Sequence, residues 1–360
     1  MNMNIRLVFF SILAISLQAC TEEPPIPTPI DPNLAFDKGV FIINEGNFGV
    51  GNASIDFYQR DSNRLIKNVF ETVNGRPMGD VAQSMTIFKN KGYIVLNGSA
   101  KVEVIDAKTF KSEASINGFS SPRCFLGIDA NRAFVADWIS NTVKEINLNT
   151  QTIASSIAVG TGPEALILID SFLYVANSGG YINDSTLSII NINTNQIVKQ
   201  IIVGDAPIAF ALDANKYLWV LCRGDYKDYS IKEDDTKGAL VKINTTTQSI
   251  ISKISIGEQG DHPDKLAISN DKQNIFINTA INGANNGIYK LGINESTIPA
   301  NPFVAGYFYG IGVDPLDDKI YAADPLDFSQ DGIMWRYNTN SGMRIDSIKV
   351  GKIPNGIHIQ

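Results

Sequence analysis

The chain has 360 residues, of which 44% are hydrophobic and 19% are charged, so it contains enough apolar side chains for a large core. Its net charge of −7 argues against a nucleic-acid partner, because proteins that bind phosphate backbones need a basic face. Beyond Cys20 the chain has only Cys124 and Cys222, which are far apart and lack metal-ligand spacing, and we interpret both as small buried hydrophobic residues rather than as a disulfide.

Residues 1–19 have the pattern of a secretory signal peptide. Arg6 precedes an apolar run over residues 7–17, which is too short for a permanent membrane-spanning helix. The run ends in the sequence LQAC, which closes at Cys20 and resembles a bacterial lipobox; the resemblance implies that the Cys20 thiol is acylated after cleavage. We therefore expect a lipid anchor at Cys20, the alternative being an ordinary secretory peptide that is cut near Ala19.

A linker follows at residues 20–36. Its prolines predict a semi-rigid stalk, because proline locks φ and favours an extended polyproline II conformation. They are Pro24, Pro25, Pro27, Pro29 and Pro32. The acidic stretch from Thr21 to Glu23 resembles the surface-export signal of Bacteroidetes lipoproteins. That resemblance implies a protein that is anchored in the outer membrane and faces the cell exterior.

The remaining sequence, residues 37–360, contains one repeated unit. Each unit has four short runs rich in β-branched residues, separated by Gly, Asn and Asp at the turns, and no window shows convincing helical periodicity. A repeat of roughly 40 to 45 residues with four strands is typical of a propeller blade. We predict an all-β, seven-bladed β-propeller, whose units open near Val40, Tyr93, Ala133, Leu173, Leu218, Ile275 and Ile320.

The two ends of this region are predicted to meet in one blade. The first run, Val40 to Asn44, matches the second strand of later units, and the last run, Pro354 to Ile359, matches the innermost strand. We expect the C-terminal strand to pair beside the three N-terminal strands and close the ring, since an open ring would expose strand edges.

One face of the propeller is predicted to carry the function. The loops from second to third strand and from each blade to the next share this face, and they include every long loop, whereas the other face has short Asx turns. Aromatic, Arg and Asn side chains in these loops suit a polar ligand with flat apolar parts. The candidate ligand-binding residues are Asn44, Arg76, Arg123, Trp138, Tyr181, Arg223, Tyr226, Tyr307 and Tyr309.

Two of these candidate residues, and one acidic run, have structural interpretations. Trp138 can equally fill the gap between two blades, and Arg123 can equally be a structural ion-pair partner. The acidic run Glu233 to Asp235 is interpreted as a solvated loop tip rather than as a calcium site, because it lacks the alternate-residue ligand spacing of a calcium loop.

Catalysis is poorly supported by the sequence. The chain has only two histidines, His262 and His358, and no Ser/His/Asp order or cluster of three metal ligands stands out. We therefore expect a binding protein without a cofactor or metal, not an enzyme. The alternative is a propeller lyase or lactonase, since enzymes with similar blade lengths exist on this scaffold.

Several segments resemble the BtuG-like propellers, a family of Bacteroidetes surface lipoproteins within the broader YncE-like propellers. The similar segments are Asn44 to Phe48, Gly79 to Met85, Phe119 to Arg123, Tyr309 to Ile311, Tyr321 to Asp324, Gln330 to Ile333, Arg336 to Tyr337 and Val350 to Pro354. The resemblance spans the propeller but does not extend to the long loops of blades four and five.

The resemblance implies a function of capture and transfer. BtuG-like proteins bind cobalamin outside the cell and associate with a TonB-dependent transporter, so this chain is expected to bind cobalamin and pass it to such a transporter. The alternatives are an orphan propeller that binds another nutrient, such as a glycan or a siderophore, and a module that binds a protein partner.

Overall fold

The computed structural model describes residues 36–226, 231–281 and 285–360. The expected signal peptide, Cys20 and nearly all of the linker lie outside these residues. Within the described part of the chain, no helix is long and apolar enough to cross a membrane.

The described chain forms seven four-stranded antiparallel sheets, which confirms the predicted propeller. Blade one contains β1 (Gly39–Asn44), β2 (Ser54–Gln59), β3 (Arg64–Ile66) and the last strand, β28 (Pro354–Ile359). Blade two contains β4 (Ala82–Phe88), β5 (Lys91–Leu96), β6 (Lys101–Asp106) and β7 (Ser112–Ile116); blade three contains β8 (Pro122–Gly127), β9 (Arg132–Asp137), β10 (Thr142–Asn147) and β11 (Thr152–Ala158).

The remaining blades follow the same order. Blade four contains β12 (Pro163–Ile169), β13 (Phe172–Asn177), β14 (Thr186–Asn191) and β15 (Gln196–Ile202); blade five contains β16 (Pro207–Leu212), β17 (Tyr217–Cys222), β18 (Gly238–Asn244) and β19 (Ser249–Ile256). Blade six contains β20 (Lys265–Ile268), β21 (Asn274–Ile281), β22 (Asn285–Gly292) and β23 (Val304–Ala305); blade seven contains β24 (Gly310–Asp314), β25 (Lys319–Asp324), β26 (Asp331–Asn338) and β27 (Arg344–Lys352).

Burial explains the composition of the strands. The second strand of each blade has neighbouring strands on both edges and packs against adjacent blades on both faces, so it is apolar without alternation; Phe134, Val135 and Ala136 of β9 are all fully buried. The outermost strands alternate instead, as in β11, because one face is open to solvent. The core is therefore a ring of layers between blades, lined with Val, Ile, Leu and aromatic residues.

The C-terminal strand closes the ring as predicted. In blade one, β28 pairs with β1, and the register places Phe41 opposite His358 and Ile42 opposite Ile357. The innermost strands β24, β28 and β4 are neighbours around the axis, so no innermost strand has a gap beside it.

Two local features extend the sequence analysis. A short helix, α1 (Val69–Asn74), lies in the loop between blades one and two and buries Val69 and Phe70; at six residues it is too short to produce a periodic signal. Cys124 and Cys222 are both free, and burial raises the pKa of each thiol to about 12, which fits their interpretation as small hydrophobic residues.

Candidate functional site

The innermost strand of five blades has a β-bulge at its loop-face end. In β8, Pro122 pairs with Asp137 and Cys124 pairs with Ala136, so the register skips Arg123. The corresponding position is skipped in four other blades, at Gln83, Glu164, Ile208 and Asn355. A bulge re-aims the side chain of the extra residue, and bulges are frequent beside functional sites for that reason. In each of five blades, one residue is thus left out of the strand pairing near the end of the innermost strand, which changes the direction of its side chain.

Polar side chains from six blades form two runs of contacts at this end of the axis, and the runs meet where Asn355 Nδ2 lies 3.5 Å from the Gln83 backbone oxygen. We call these side chains the axial cluster. Its members are Glu45, Gln83, Arg123, Glu164, Lys265, Tyr309 and Asn355. Blade five contributes the apolar Ile208 at the equivalent position. The cluster therefore combines cations, carboxyl groups and amides in a half-buried position.

Arg123 is fully engaged on one side of the cluster. Its Nε lies 3.1 and 3.0 Å from the two carboxylate oxygens of Glu164, and a terminal nitrogen lies 2.8 Å from one of them. The other terminal nitrogen donates to Gln83 Oε1 at 3.0 Å, and the guanidinium carbon lies 5.0 Å from the ring centroid of Trp138. Arg123 is thus a structural ion-pair partner, as one alternative proposed, and also a contact of the neighbouring aromatic side chain.

On the other side of the cluster, the central contacts are made by the carboxyl group of Glu45. Its carboxyl group accepts hydrogen bonds from Asn355 Nδ2 at 2.6 Å and from the Tyr309 hydroxyl at 3.3 Å. Burial raises the pKa of the Glu45 carboxyl, and the charges of Lys265 and Arg123 only partly oppose this effect. Burial, followed by the Glu45 charge, likewise raises the pKa of Tyr309. Within the described chain, no cation lies within ion-pair distance of the Glu45 carboxyl group.

Two groups of aromatic rings, each with exposed members, flank the axial cluster. The first aromatic wall is Trp138 and Tyr181, whose rings meet edge to face at 4.9 Å, with Tyr181 87% exposed. The second is Tyr307, Tyr309 and Phe328: the Phe328 ring lies edge to face with Tyr309 at 5.3 Å and with Tyr307 at 6.3 Å. Because Arg123 contacts the first wall and Tyr309 belongs to both the cluster and the second, the three groups form one surface.

The sequence matches a family model described as a domain of unknown function, DUF5074, over residues 38–355. The chain belongs to this family. The match covers the propeller of the DUF5074 protein except for the last four residues of β28, and it includes every member of the axial cluster and both aromatic walls. No functionally curated protein matches the sequence.

Solved structures that resemble this DUF5074 propeller share its fold at low sequence identity. A quinonprotein alcohol dehydrogenase-like protein from Bacteroides thetaiotaomicron is 14% identical, with a TM-score of 0.68 over 91% of this chain and 79% of its own. A candidate 6-phosphogluconolactonase from Bacteroides fragilis is 11% identical, with a TM-score of 0.65 over 90% and 98%. Hydrazine synthase from Kuenenia stuttgartiensis is 14% identical, with a TM-score of 0.56 over 76% and 88%. These likenesses support the fold alone.

The structure brings together five of the nine residues that the sequence analysis selected in the DUF5074 chain. They are Arg123, Trp138, Tyr181, Tyr307 and Tyr309. Trp138 also packs on Gly162 and Gly180 of the next blade, and its indole nitrogen donates to Ser178 Oγ at 3.1 Å. Both interpretations of Trp138, as a filler between blades and as part of the loop face, are therefore compatible with its position.

Arg223 and Tyr226 lie in the long loop that follows β17. The Tyr226 ring stacks on the His262 ring with centroids 3.6 Å apart, and the two ring nitrogens of His262 lie 3.1 Å from the Arg223 carbonyl and 3.0 Å from an Asp235 carboxylate oxygen. Burial raises the pKa of Asp264 beside the axial cluster, and the charge of Arg223 is among the influences that oppose it. These two residues thus belong to an adjoining group on the same face.

The acidic run in this loop differs from its prediction. Glu233 and Asp234 end a short 3₁₀ turn, but Asp235 is buried and paired with His262, so the interpretation as a solvated loop tip is wrong for Asp235. The described residues contain no group of three His, Cys, Asp or Glu side chains suited to a metal ion.

The structure places Asn44 and Arg76 apart from the cluster. Asn44 is fully buried inside blade one, where its amide donates to Ser54 Oγ at 3.2 Å. Arg76 packs over the Phe70 ring and binds Glu103 at 2.6 Å, against the outer strands of blade two. Among the described residues, neither side chain has a hydrogen bond, ion pair or ring contact with the axial cluster or the aromatic walls, although Asn44 precedes Glu45 in the chain.

The sequence analysis missed six members of the surface. They are Glu45, Gln83, Glu164, Lys265 and Asn355, together with Phe328 of the second wall. A positional signal was present: Arg123, Glu164 and Asn355 each directly follow the proline that begins an innermost strand. Alignment of the units on that proline would have brought these side chains together.

Proposed function

We propose that the loop face captures a small ligand that has flat apolar parts and polar edges. The observation that carries this proposal is the pair of exposed aromatic walls on either side of a half-buried polar cluster. Aromatic rings provide area for stacking at little entropic cost, while fixed polar groups orient a ligand. Tyr181 and Tyr307 are 87% and 50% exposed, so much of each ring is open to a ligand.

Cobalamin is our first candidate ligand. The choice rests on the resemblance to BtuG-like propellers, and a corrin ring with peripheral amides matches the combination of aromatic and polar groups. With it we propose a lipid anchor at Cys20, location in the outer membrane facing the exterior, and transfer of the ligand to a TonB-dependent transporter. A glycan, a siderophore or a protein partner remains the alternative occupant of the same face.

Calorimetric titration of the purified protein with cyanocobalamin tests this function. We expect one-to-one binding, weakened roughly 30-fold by the double substitution Tyr181→Ala and Tyr307→Ala, since each aromatic contact contributes on the order of 1 kcal/mol. Leu316→Ala is the matched control, because Leu316 is 74% exposed on the opposite face. No heat and no competition at high cyanocobalamin would exclude cobalamin and leave a propeller with another ligand.

A second candidate function is catalysis at Glu45. A buried carboxyl group whose pKa is raised, hydrogen-bonded to a tyrosine, has the properties of a general acid or base. We favour a binding protein over an enzyme, because the exposed rings of Tyr181 and Tyr307 suit the capture of a flat ligand. Turnover of 6-phosphogluconolactone or another sugar lactone that is lost in Glu45→Gln would reverse this preference.

A further inference from the structure

The polar groups of the axial cluster are not all paired with one another. On one side, the Arg123 guanidinium already donates to Glu164 and Gln83, so it has little capacity to hold an anion from outside. On the other side, the Asn355 amide nitrogen is used by Glu45, while its Oδ1 has no partner among the residues that the structure describes. Asn355 is only 3% exposed, so this acceptor does not compensate by facing bulk water.

Lys265 is the cation that remains available. None of the ion pairs within the described chain includes Lys265 or Glu45, and the Lys265 ammonium lies 5.4 Å from the ring centroid of Tyr309. Its charge acts on two carboxyl groups, since it is the strongest influence opposing the effect of burial on both Glu45 and Asp264. Lys265 is therefore shared between two acids rather than neutralised by one.

We propose that the part of the axial cluster formed by Glu45, Lys265, Tyr309 and Asn355 is a subsite for an uncharged group that both donates and accepts hydrogen bonds, with a primary carboxamide as the best fit. The carbonyl of such a group accepts from Lys265, and its NH₂ donates to a Glu45 oxygen, which Asn355 and Tyr309 hold in place by hydrogen bonds. A carboxylate or phosphate is disfavoured, because it would compete with Glu45 and Asp264 for Lys265.

This inference deepens the proposed function and rests on it, since it assigns the group of the captured ligand that reaches the axis. It discriminates among ligand classes. Ligands with amide edges fit the subsite, whereas ligands that present carboxylates or phosphates to the axis do not.

Small probes test the subsite without knowledge of the full ligand. Propionamide and propionate have the same shape and differ in charge and in donors. The protein is labelled with ¹³C in its tyrosine rings, and the Tyr309 signal among the 12 tyrosines is assigned with Tyr309→Phe. We expect propionamide to shift this signal saturably, with a dissociation constant on the order of 0.1 M for so small a molecule, and propionate to bind at least about tenfold more weakly.

Glu45→Gln provides the critical variant. Removing one of the two acids that share Lys265 should reduce the preference for propionamide over propionate by roughly threefold or more. Glu113→Gln is the matched control, because Glu113 is paired with Lys91 at the outer edge of blade two, and it should leave the preference unchanged.

Two results would overturn the inference: equal or tighter binding of propionate, or no saturable shift of Tyr309 with either probe. Both are distinct from a failure of the proposed function. A protein that binds cyanocobalamin but does not distinguish the probes retains the function and loses the subsite. One that prefers propionamide but does not bind cyanocobalamin retains the subsite and has another ligand.

Discussion

Arg123 is held by Glu164 and Gln83, with its guanidinium over the Trp138 ring, so its charge is compensated mainly by the protein rather than by solvent. The side chains of Arg123 and Glu164 are only 20% and 15% exposed. Removing one member of such a pair leaves the other charge poorly solvated, whereas removing both avoids that penalty.

We expect Arg123→Met to lower the free energy of unfolding by about 1–3 kcal/mol, because Glu164 loses its partner. The double substitution Arg123→Met and Glu164→Met should recover most of this loss. Urea unfolding of the parent, both single variants and the double variant gives the coupling energy. Losses that simply add would show that the pair makes no contribution beyond its separate side chains.

His358 is a second residue whose environment predicts a measurable effect. It lies on β28, and its Nε2 accepts the Ile87 backbone N–H of β4 at 3.3 Å. Burial lowers its pKa from 6.5 to about 4. The neutral ring is therefore the form that the folded protein favours.

Because this pKa is lower in the folded than in the unfolded chain, the stabilisation from His358 is complete above pH 6.5 and is lost as the pH falls towards 4. The shift corresponds to at most about 3 kcal/mol. We expect His358→Asn, which retains an acceptor for Ile87 but does not titrate, to show a flatter fall of unfolding free energy between pH 6.5 and 4. Denaturant unfolding at several pH values measures the difference; parallel curves for parent and variant would contradict it.

At the scale of secondary-structure elements, β28 is the element on which closure depends. It provides the innermost strand of blade one and pairs along its length with β1, at the opposite end of the chain. The backbone of Gln360 also exchanges hydrogen bonds with Gly39 at 3.2 and 3.0 Å. Without this strand, β1 and the neighbouring innermost strands would be exposed.

Deletion of residues 353–360 should therefore abolish cooperative unfolding near the parent transition temperature. The physical reasons are the exposed strand edges and the loss of Ile357 and Ile359 from the core of blade one. Differential scanning calorimetry provides the measurement. A truncated protein with a single sharp transition at the parent temperature would show that the ring does not need this strand.

Most elements of the fold were predictable because their cause is local. Runs of β-branched residues and Asx turns repeat in every blade, so strand order, blade number and closure follow from the sequence. The short helix α1 was not predictable from periodicity, since it forms where Val69 and Phe70 find a buried position between two blades. Tertiary packing, rather than propensity, specifies that segment.

The site was only partly predictable, since the sequence identifies loops but not bulges. Aromatic residues in long loops, such as Trp138 and Tyr307, were identifiable as surface features of the loop face. Glu45, Lys265 and Asn355 belong to three separate segments, and only the register of the innermost strands makes them neighbours. Asn44 illustrates the converse error, because its loop position suggested exposure while its side chain turns into the blade.

At the scale of the whole molecule, the seven blades differ in the side chains that they contribute to the loop face. Blades three and four supply the first aromatic wall, blade seven and the loop before it supply the second, and blade one supplies Glu45. Other propellers at 11–14% identity share the fold of the ring. This likeness does not show that they bind the same ligand. Under the proposed function, ligand binding by this protein therefore depends on the loop face.

Ring closure has a consequence for the order in which the protein matures. The hydrogen bond between Asn355 and Glu45 joins residues 310 positions apart, so Glu45 is synthesised long before Asn355. Blades two to seven each consist of contiguous sequence with local contacts and can form as their residues become available. The polar centre of the axial cluster cannot form until β28 has been added. A nascent chain that lacks β28 is therefore unable to form the complete cluster, and under the proposed function it would not hold the ligand.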